Sequence, residues 1–284
     1  MILVLGATGT TGGEVARQLT DAGVRPRLLV RNRAKAAQFE GKAEIVEGEL
    51  ENAASVEAAL VGVEKVYLVA SSLNGFDLEM KVIDAARTAG VRHVVKLSAV
   101  GADADRPVLT ISQWHGQVEK HLMDSGLAWT MLRPGNFMTN AILFWADTIK
   151  TQGAFYQPTA DGRWASIAPE DVAAVAVLAL TTTGHEGQGY TLTGDKAMNG
   201  DEYAAVLSEV LGKPIKFVDV PPDVAQQGLL LNGMPPEYAE AVMNLMGAMR
   251  AGRGDLVTDT FEQVMCRKPI SFADWVRKHI AAFH

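Results

Sequence analysis

The opening stretch of the chain carries glycines at a spacing that suits the binding of a diphosphate. Gly6, Gly9 and Gly12 follow the apolar run ILVL, and a helical pattern extends from about Thr10 to Ala22. Glycines in such a turn let the chain reverse tightly, let the backbone approach a diphosphate, and let the helix pack closely on the strand. The diphosphate would meet the unpaired N–H groups and the positive dipole end of the helix. We interpret the stretch as a dinucleotide-binding turn, with a glycine-rich turn that binds no ligand as the alternative.

A basic segment follows the second apolar run, RLLV. It contains Arg31, Arg33 and Lys35, and the first acidic residue after it is Glu40. A site for NAD usually has an acid in this region to hold the adenosine ribose diol, whereas an arginine can bind a 2′-phosphate through paired N–H groups. We therefore predict NADP(H) as the preferred dinucleotide, with Arg31 as its phosphate ligand and NAD(H) as the second choice. The alternative is a solvated basic loop.

The elements that must position these residues alternate regularly through the first half of the chain. Short apolar runs and amphipathic helical patterns follow one another as far as AWTMLRP, which predicts an α/β fold: a Rossmann-type doubly wound parallel sheet covered by helices. After Pro134 the pattern changes, and we predict a smaller C-terminal α+β domain. The predicted boundaries are 1–135 for the dinucleotide-binding domain, with later contributions from about 165–195, and 136–284 for a smaller substrate-binding or cap domain.

Length, composition and charge restrict the classes of function. The chain has 284 residues, of which 48% are hydrophobic, and this is typical of a globular protein with a sizeable core. Its formal net charge of −7 argues against nucleic acid as the main partner. The single cysteine, Cys266, excludes an intrachain disulfide framework and favours a cytoplasmic location. No apolar run suggests a signal peptide or a bilayer span, so we expect no membrane partner.

Seven segments together resemble one known family: GATGTTGGEV, VRN, VEGEL, SGLAWTMLRPGNFMTN, PEDVA, YTLTG and LGKPIKFVDVP. The chain resembles the NmrA-like branch of the atypical short-chain dehydrogenases over essentially its whole length. Within that branch it is most similar to the NADPH:quinone reductase type 2-like and triphenylmethane-reductase-like subgroup. The resemblance implies a Rossmann domain, a small C-terminal domain, and a substrate cleft between them. It also implies cofactor contacts at the glycine turn and at later strand ends, on Gly6, Thr8, Gly9, Thr10, Thr11, Gly12, Glu49, Val69, Ala70, Ser71, Ser98 and His115.

The same resemblance identifies the candidate catalytic residues. Ser98, in VVKLSAV, occupies the position of the family's serine, but the tyrosine and lysine positions hold Ile111 and His115. Without a phenol to protonate a carbonyl oxygen, ordinary alcohol dehydrogenation and sugar epimerisation are in doubt. His115 shares a predicted helical face with Ile111 and Leu122, and that face should point toward the sheet and the cofactor. Its imidazole is a candidate to contact the nicotinamide ribose or to protonate a developing hydroquinone oxygen; a structural histidine is an equal alternative.

Candidate acceptor-binding residues follow the RPG turn. Asn136, Phe137 and Met138 come after a strand end, where ligands bind in open α/β sheets. An aromatic ring and a thioether suit a flat acceptor, and ordinary core packing is the alternative, more so for Met138 than for Phe137. No metal site is predicted, because His115 and Glu119 have no third ligand at a matching spacing.

Together these residues predict an NAD(P)H-dependent reductase that transfers hydride to a quinone or a similar conjugated acceptor. Such an acceptor delocalises the negative charge that the hydride brings, so the protein needs mainly to stack it beside the nicotinamide and to exclude water. Two alternatives remain open: a non-catalytic NAD(P)-sensing regulatory protein of the NmrA type, and a reductase of azo or triphenylmethane dyes. The sequence is equally compatible with a monomer and a homodimer.

Overall fold

The computed structural model describes residues 1–70, 75–104 and 109–284, and these form two compact units. The first unit comprises Met1–Pro134 and Pro169–Thr191, and the second comprises Gly135–Ala168 and Leu192–His284. In the described residues there are nine strands: β1 Ile2–Val4, β2 Arg27–Val30, β3 Glu44–Glu47, β4 Lys65–Leu68, β5 His93–Leu97, β6 Ala128–Pro134, β7 Ala154–Gln157, β8 Gln188–Leu192 and β9 Lys216–Asp219.

Seven of these strands form one sheet in the order β3-β2-β1-β4-β5-β6-β8. Every neighbouring pair from β3 to β6 is parallel. The order 3-2-1-4-5-6 is that of a Rossmann sheet, so the predicted fold class is confirmed. The described residues that directly follow β1, β2, β4 and β5 lie at the carboxyl edge of the sheet. The strand order switches direction between β1 and β4, and this edge is where such sheets bind ligands.

Helices complete both units. The described residues contain eleven α-helices: α1 Thr10–Asp21, α2 Ala53–Leu60, α3 Gly75–Thr88, α4 Thr110–Asp124, α5 Thr139–Gln152, α6 Pro169–Thr181, α7 Gly200–Leu211, α8 Pro222–Leu231, α9 Pro236–Arg250, α10 Thr260–Met265 and α11 Phe272–Lys278. Short 3₁₀ segments cover Arg33–Phe39 and Ile280–Phe283. None of the helices in the described ranges is long and apolar enough to cross a bilayer.

Apolar side chains from the sheet and its helices form the core of the first unit. The predicted helix from about Thr10 to Ala22 is observed as α1, whose apolar positions Val15 and Leu19 are fully buried. On α4, Val118 and Leu122 are fully buried in the same way. The buried strand positions between the helix layers are mostly apolar, as expected for a parallel sheet covered on both faces.

The second unit is built around aromatic side chains and a small parallel sheet of β7 and β9. Trp145 stacks on Phe155 with 4.2 Å between ring centroids, and Trp164 stacks on Tyr203 at 4.9 Å. Large aromatic side chains contribute extensive buried apolar area, so a unit of this size gains a stable core from few residues.

Candidate active site

Two positions of the glycine turn after β1 leave no room for a side chain. Gly6 has a left-handed φ of +63°, and a Cβ there would lie 2.8 Å from Cγ1 of Val69. A Cβ on Gly12 would lie 2.3 Å from the carbonyl oxygen of Gly6. The backbone N–H of Gly9 donates to that same oxygen at 2.8 Å. Glycine is therefore required at position 6 by conformation and at position 12 by the contact between α1 and the turn.

The start of α1 is arranged to receive an anion. Its N-cap is Gly9, no described side chain caps the helix, and the first turn contains no acid. Thr8, Gly9 and Thr10 are exposed, whereas Thr11 is buried. The first N–H groups of an α-helix have no partner within the helix, so these groups remain available to a diphosphate. This uncapped, acid-free helix start, reached through a glycine turn, thus fits the phosphate groups of a dinucleotide.

The two arginines of the basic segment after β2 lie in different environments. Arg33 is engaged within the protein: its Nε lies 2.9 Å from Oε1 of Glu40, and its Nη1 donates to the carbonyl of Ile45 at 3.1 Å. Arg31 is exposed and forms no ion pair with any described residue. Glu49, which follows β3, is exposed as well. Of the two arginines, Arg31 is the one that is available to a phosphate.

The loop after β4 is connected to helix α3. Val69 and Ala70 are partly buried, and the backbone N–H of Ala70 donates to Oε1 of Glu79 at 2.9 Å. Ser71, which the family resemblance places against the cofactor, lies outside the described residues. Glu79 thus links the backbone at the end of β4 to helix α3.

Beneath this loop lies a buried charge pair that the sequence reasoning missed. Lys96 on β5 and Glu79 on α3 are 0% and 1% exposed, and Nζ of Lys96 lies 2.9 Å from Oε2 of Glu79. The ammonium also donates to the carbonyl of Leu97 at 2.6 Å and lies 3.1 Å from Nδ1 of His115. Burial raises the pKa of Glu79, and the charge of Lys96 opposes that rise. The available sequence signal was a lysine inside the apolar strand HVVKL, because a buried charge requires a partner.

His115 lies on the inner face of α4, which also carries the buried residues Val118 and Leu122. Its ring is edge-on to Phe76, with centroids 5.0 Å apart. Burial lowers the pKa of His115 well below its ordinary value, and the positive charge of Lys96 lowers it further. His115 is therefore a neutral imidazole at physiological pH.

Ser98 is held by a second buried ion pair. Its hydroxyl donates to Oε1 of Glu119, and it is only 3% exposed. Arg133 on β6 binds that carboxylate through two groups, from Nε to Oε1 at 2.9 Å and from Nη2 to Oε2 at 2.6 Å. Arg133 also pairs with Asp103 at 2.7 Å. Glu119 is thus directed toward Arg133, not toward His115, and the described residues contain no group of three side chains arranged to hold a metal ion.

The predicted acceptor residues belong to the second unit. The amide of Asn136 donates to Oγ of Ser166 at 2.9 Å, and its oxygen accepts from Asn140 at 2.8 Å. Phe137 is partly buried. Met138 is 1% exposed and packs in the aromatic core of this unit.

Comparison with known proteins places this site in a family. Residues 6–183 match the model of the NAD(P)H-binding family. The chain is 39% identical over 285 residues to the NAD(P)H azoreductase of Xenophilus azovorans, which covers 100% of this chain and 99% of that protein. It is also 39% identical over 283 residues to the (4-alkanoyl-5-oxo-2,5-dihydrofuran-3-yl)methyl phosphate reductase of Streptomyces griseus, with the same coverage. The crystal structure of the Escherichia coli NADPH-dependent quinone oxidoreductase QOR2 with NADPH is similar with a TM-score of 0.88 and 29% identity, covering 99% of this chain and 100% of that one.

The matched range contains the glycine turn, the basic segment after β2 and both buried ion pairs. The full-length relatives carry the names of reductases. The chain belongs to the NAD(P)H-binding family and is an NAD(P)H-dependent oxidoreductase.

Proposed function

We propose that this protein is an NADPH-dependent reductase of quinones and similar conjugated acceptors. The observation that carries the proposal is a glycine turn with no room for side chains at Gly6 and Gly12, followed by an uncapped helix start, together with an available arginine after β2. The turn formed by Gly6, Gly9 and Gly12 suits the diphosphate, and Arg31 suits a 2′-phosphate. The remaining proposed cofactor contacts come from the turn and from the residues after later strands. They are Thr8, Thr10 and Thr11 in the turn, and Glu49, Val69, Ala70 and Ser71 after the strands.

The proposed reaction requires little acid–base chemistry from the protein. NADPH, when bound, supplies a hydride from its nicotinamide ring. A quinone that gains one hydride and one proton becomes a hydroquinone, and the charge that develops meanwhile is delocalised over the acceptor. The phenol of other short-chain dehydrogenases is therefore dispensable, and His115 is the candidate side chain to contact the developing oxygen or the nicotinamide ribose. Ser98 has a supporting role in this proposal, because its hydroxyl already donates a hydrogen bond to Glu119.

The proposed class of acceptor is based on a chemical property that the substrates in the relatives' names share. The full-length relatives are named for azo and dihydrofuranone substrates, and the structural relative is named for quinones. An azo group, a dihydrofuranone and a quinone are all electron-poor conjugated systems. These names favour turnover over non-catalytic sensing of the dinucleotide, and they support a conjugated acceptor for this chain.

Several finer assignments remain predictions. We assign acceptor binding to Asn136 and Phe137, with Met138 supporting them from the core, and a substrate-binding or cap role to residues 136–284. A cytoplasmic location still depends on the single cysteine, Cys266, which is exposed and free. Both a monomer and a homodimer are compatible with these assignments.

The test is an assay of NADPH oxidation with a quinone, an azo dye and a triphenylmethane dye as acceptors. We expect consumption of NADPH with at least the quinone. His115→Ala should lower kcat by about tenfold to a hundredfold while leaving NADPH affinity nearly intact, because the lost group contacts the reacting atoms. The matched control is His121→Ala on the same helix, since His121 pairs with Asp84 at 3.0 Å on the surface. Tight NADPH binding with no turnover of any acceptor would instead support the sensing role.

A further inference from the structure

We propose that Lys96 is a positioning residue that holds His115 as the neutral tautomer with its proton on Nε2. The tautomer is argued from the geometry of the first unit alone. The use of the resulting Nε2–H donor toward an acceptor rests on the proposed function.

The donors of the Lys96 ammonium determine which nitrogen of His115 accepts a hydrogen bond. A lysine ammonium has three N–H donors and no acceptor. Three groups surround Nζ of Lys96: the carbonyl of Leu97 at 2.6 Å, Oε2 of Glu79 at 2.9 Å and Nδ1 of His115 at 3.1 Å. The carbonyl of Leu97 and Nδ1 of His115 lie within hydrogen-bond distance of the ammonium, and Oε2 of Glu79 supplies its counter-charge as an ion pair. Because Nδ1 accepts, a neutral imidazole must carry its single proton on Nε2.

The buried environment keeps this arrangement in place. Lys96 is fully buried and Glu79 nearly so, and a buried ammonium without a counter-charge is strongly unfavourable. The other oxygen of Glu79 accepts the backbone N–H of Ala70 at 2.9 Å, which fixes the orientation of the carboxylate. The carboxylate in turn fixes Lys96 against His115. The chain from Ala70 to His115 is therefore held by two hydrogen bonds and one buried ion pair.

The charges around His115 also disfavour its protonated form. In the described part of the first unit, the charged group that faces its ring is the ammonium of Lys96, and Glu79 lies beyond that ammonium. Glu119, four residues along the same helix, is bound by Arg133. An imidazolium would face a like charge in a buried setting. His115 therefore acts through a hydrogen bond from Nε2–H to the developing negative charge, and the proton that completes the reduction comes from solvent.

Nuclear magnetic resonance of the ring nitrogens tests the tautomer without any turnover. The protein is labelled with ¹⁵N-histidine, and the signals of His115 are identified by their loss in His115→Gln. Across about pH 5.5 to 8, a range that spans the ordinary histidine pKa, we expect a proton on Nε2 alone. A proton on Nδ1 in the unaltered protein would mean that Lys96 is a neutral amine accepting from the ring, and would overturn the proposal.

A paired substitution tests the cause. Glu79→Gln/Lys96→Met removes both charges together, so no single buried charge is left behind, and glutamine retains an acceptor for Ala70. We expect His115 in this variant to populate both tautomers and to titrate with a midpoint raised by roughly one pH unit or more. The matched control is Glu119→Gln/Arg133→Met, which removes the neighbouring buried pair and should leave the signals of His115 unchanged. If both double substitutions changed the signals of His115 equally, Lys96 would have only a structural role.

The pH profile of kcat connects the tautomer to the reaction. With saturating NADPH and a quinone, the unaltered enzyme should show no ionisation of His115 in kcat, whereas Glu79→Gln/Lys96→Met should acquire one with a midpoint between about 5 and 7. A flat profile in the variant, with the tautomer altered, would overturn the catalytic use of Nε2–H while leaving the tautomer assignment intact. Absence of turnover in both proteins would count against the proposed function alone.

Discussion

Replacing Arg31 tests the proposed choice of dinucleotide most directly. Arg31 follows β2, is exposed, and has no ion pair within the described residues, whereas Arg33 is held by Glu40. Arg31→Ala therefore removes a cation without disturbing a contact on which the fold depends. We expect weaker binding of NADPH and nearly unchanged binding of NADH, because only NADPH carries the 2′-phosphate.

The exposure of Arg31 sets the size of the expected effect. A hydrogen bond between charged groups contributes about 1.5–3 kcal/mol. Two unit charges 4 Å apart interact by about 1 kcal/mol in water and by about 4 kcal/mol near a protein surface of lower effective dielectric. Because Arg31 is exposed, we expect the lower part of this range, about 1.5–2 kcal/mol, which is about a 10- to 30-fold loss of NADPH affinity. The loss should shrink as salt screens the pair.

Calorimetric titration of NADPH and NADH into each variant measures both affinities. The matched control is Arg25→Ala, which makes the same change of charge at an exposed position before β2. At a strand rise of about 3.3 Å per residue, that side chain is anchored about 20 Å of extended chain away from Arg31. Equal losses for NADPH and NADH, or an effect of Arg25→Ala as large as that of Arg31→Ala, would refute the assignment of the 2′-phosphate.

Two further predictions concern the turn and the sheet. Gly12→Ala places a Cβ 2.3 Å from a carbonyl oxygen, so thermal unfolding should show a loss of about 1–3 kcal/mol and calorimetry a loss of NADPH binding. Gly13→Ala, with its nearest contact at 3.3 Å, should be milder, and equal effects would contradict the steric argument. Burial lowers the pKa of His93 to about 4, so the unfolded chain binds the proton more readily, and stability should fall as pH drops from about 6.5 toward 4. From pH 7 to pH 5 the loss measured by urea unfolding should be about 2 kcal/mol smaller in His93→Leu than in the unaltered protein, and an equal loss in both proteins would count against this role of His93.

The turn and the sheet could be predicted from sequence because local patterns determine them. Gly6, Gly9 and Gly12 lie within one strand–turn–helix, where spacing alone indicates the backbone that a diphosphate needs. The alternation of apolar strands and amphipathic helices likewise predicts a parallel sheet. Both features depend on contacts between residues that are close in the chain, or on periodicity within one element.

The pairing of charged side chains could not be predicted in the same way. Three cations follow β2, and only the fold shows that Glu40 engages Arg33 and leaves Arg31 available. Glu79 and Lys96 lie on different elements, and their contact depends on how α3 packs on β5. Such pairs join side chains whose separation along the chain carries no signal of its own, so they follow from tertiary packing.

Ser98 shows how a correct position can still leave a side chain's contacts unknown. The family resemblance places it after the fifth strand, and Ser98 does follow β5. Its hydroxyl, however, donates to Glu119, a carboxylate that Arg133 orients from the neighbouring strand β6. Position in the chain determined where the residue lies, and two distant charged residues determined what its hydroxyl binds.

The proposed replacement of the tyrosine–lysine pair is consistent with the acceptors proposed for this site. In the related short-chain dehydrogenases, one helix carries both the phenol and the ammonium, and the ammonium helps the phenol to transfer a proton. In this chain the corresponding helix positions carry Ile111 and His115, and the ammonium comes from Lys96 on strand β5. A cation that contacts a neutral imidazole favours donation of a hydrogen bond over release of a proton. In the proposed mechanism such a site would stabilise charge that the acceptor can itself delocalise, whereas an isolated alkoxide, which needs a proton at once, would gain little from it.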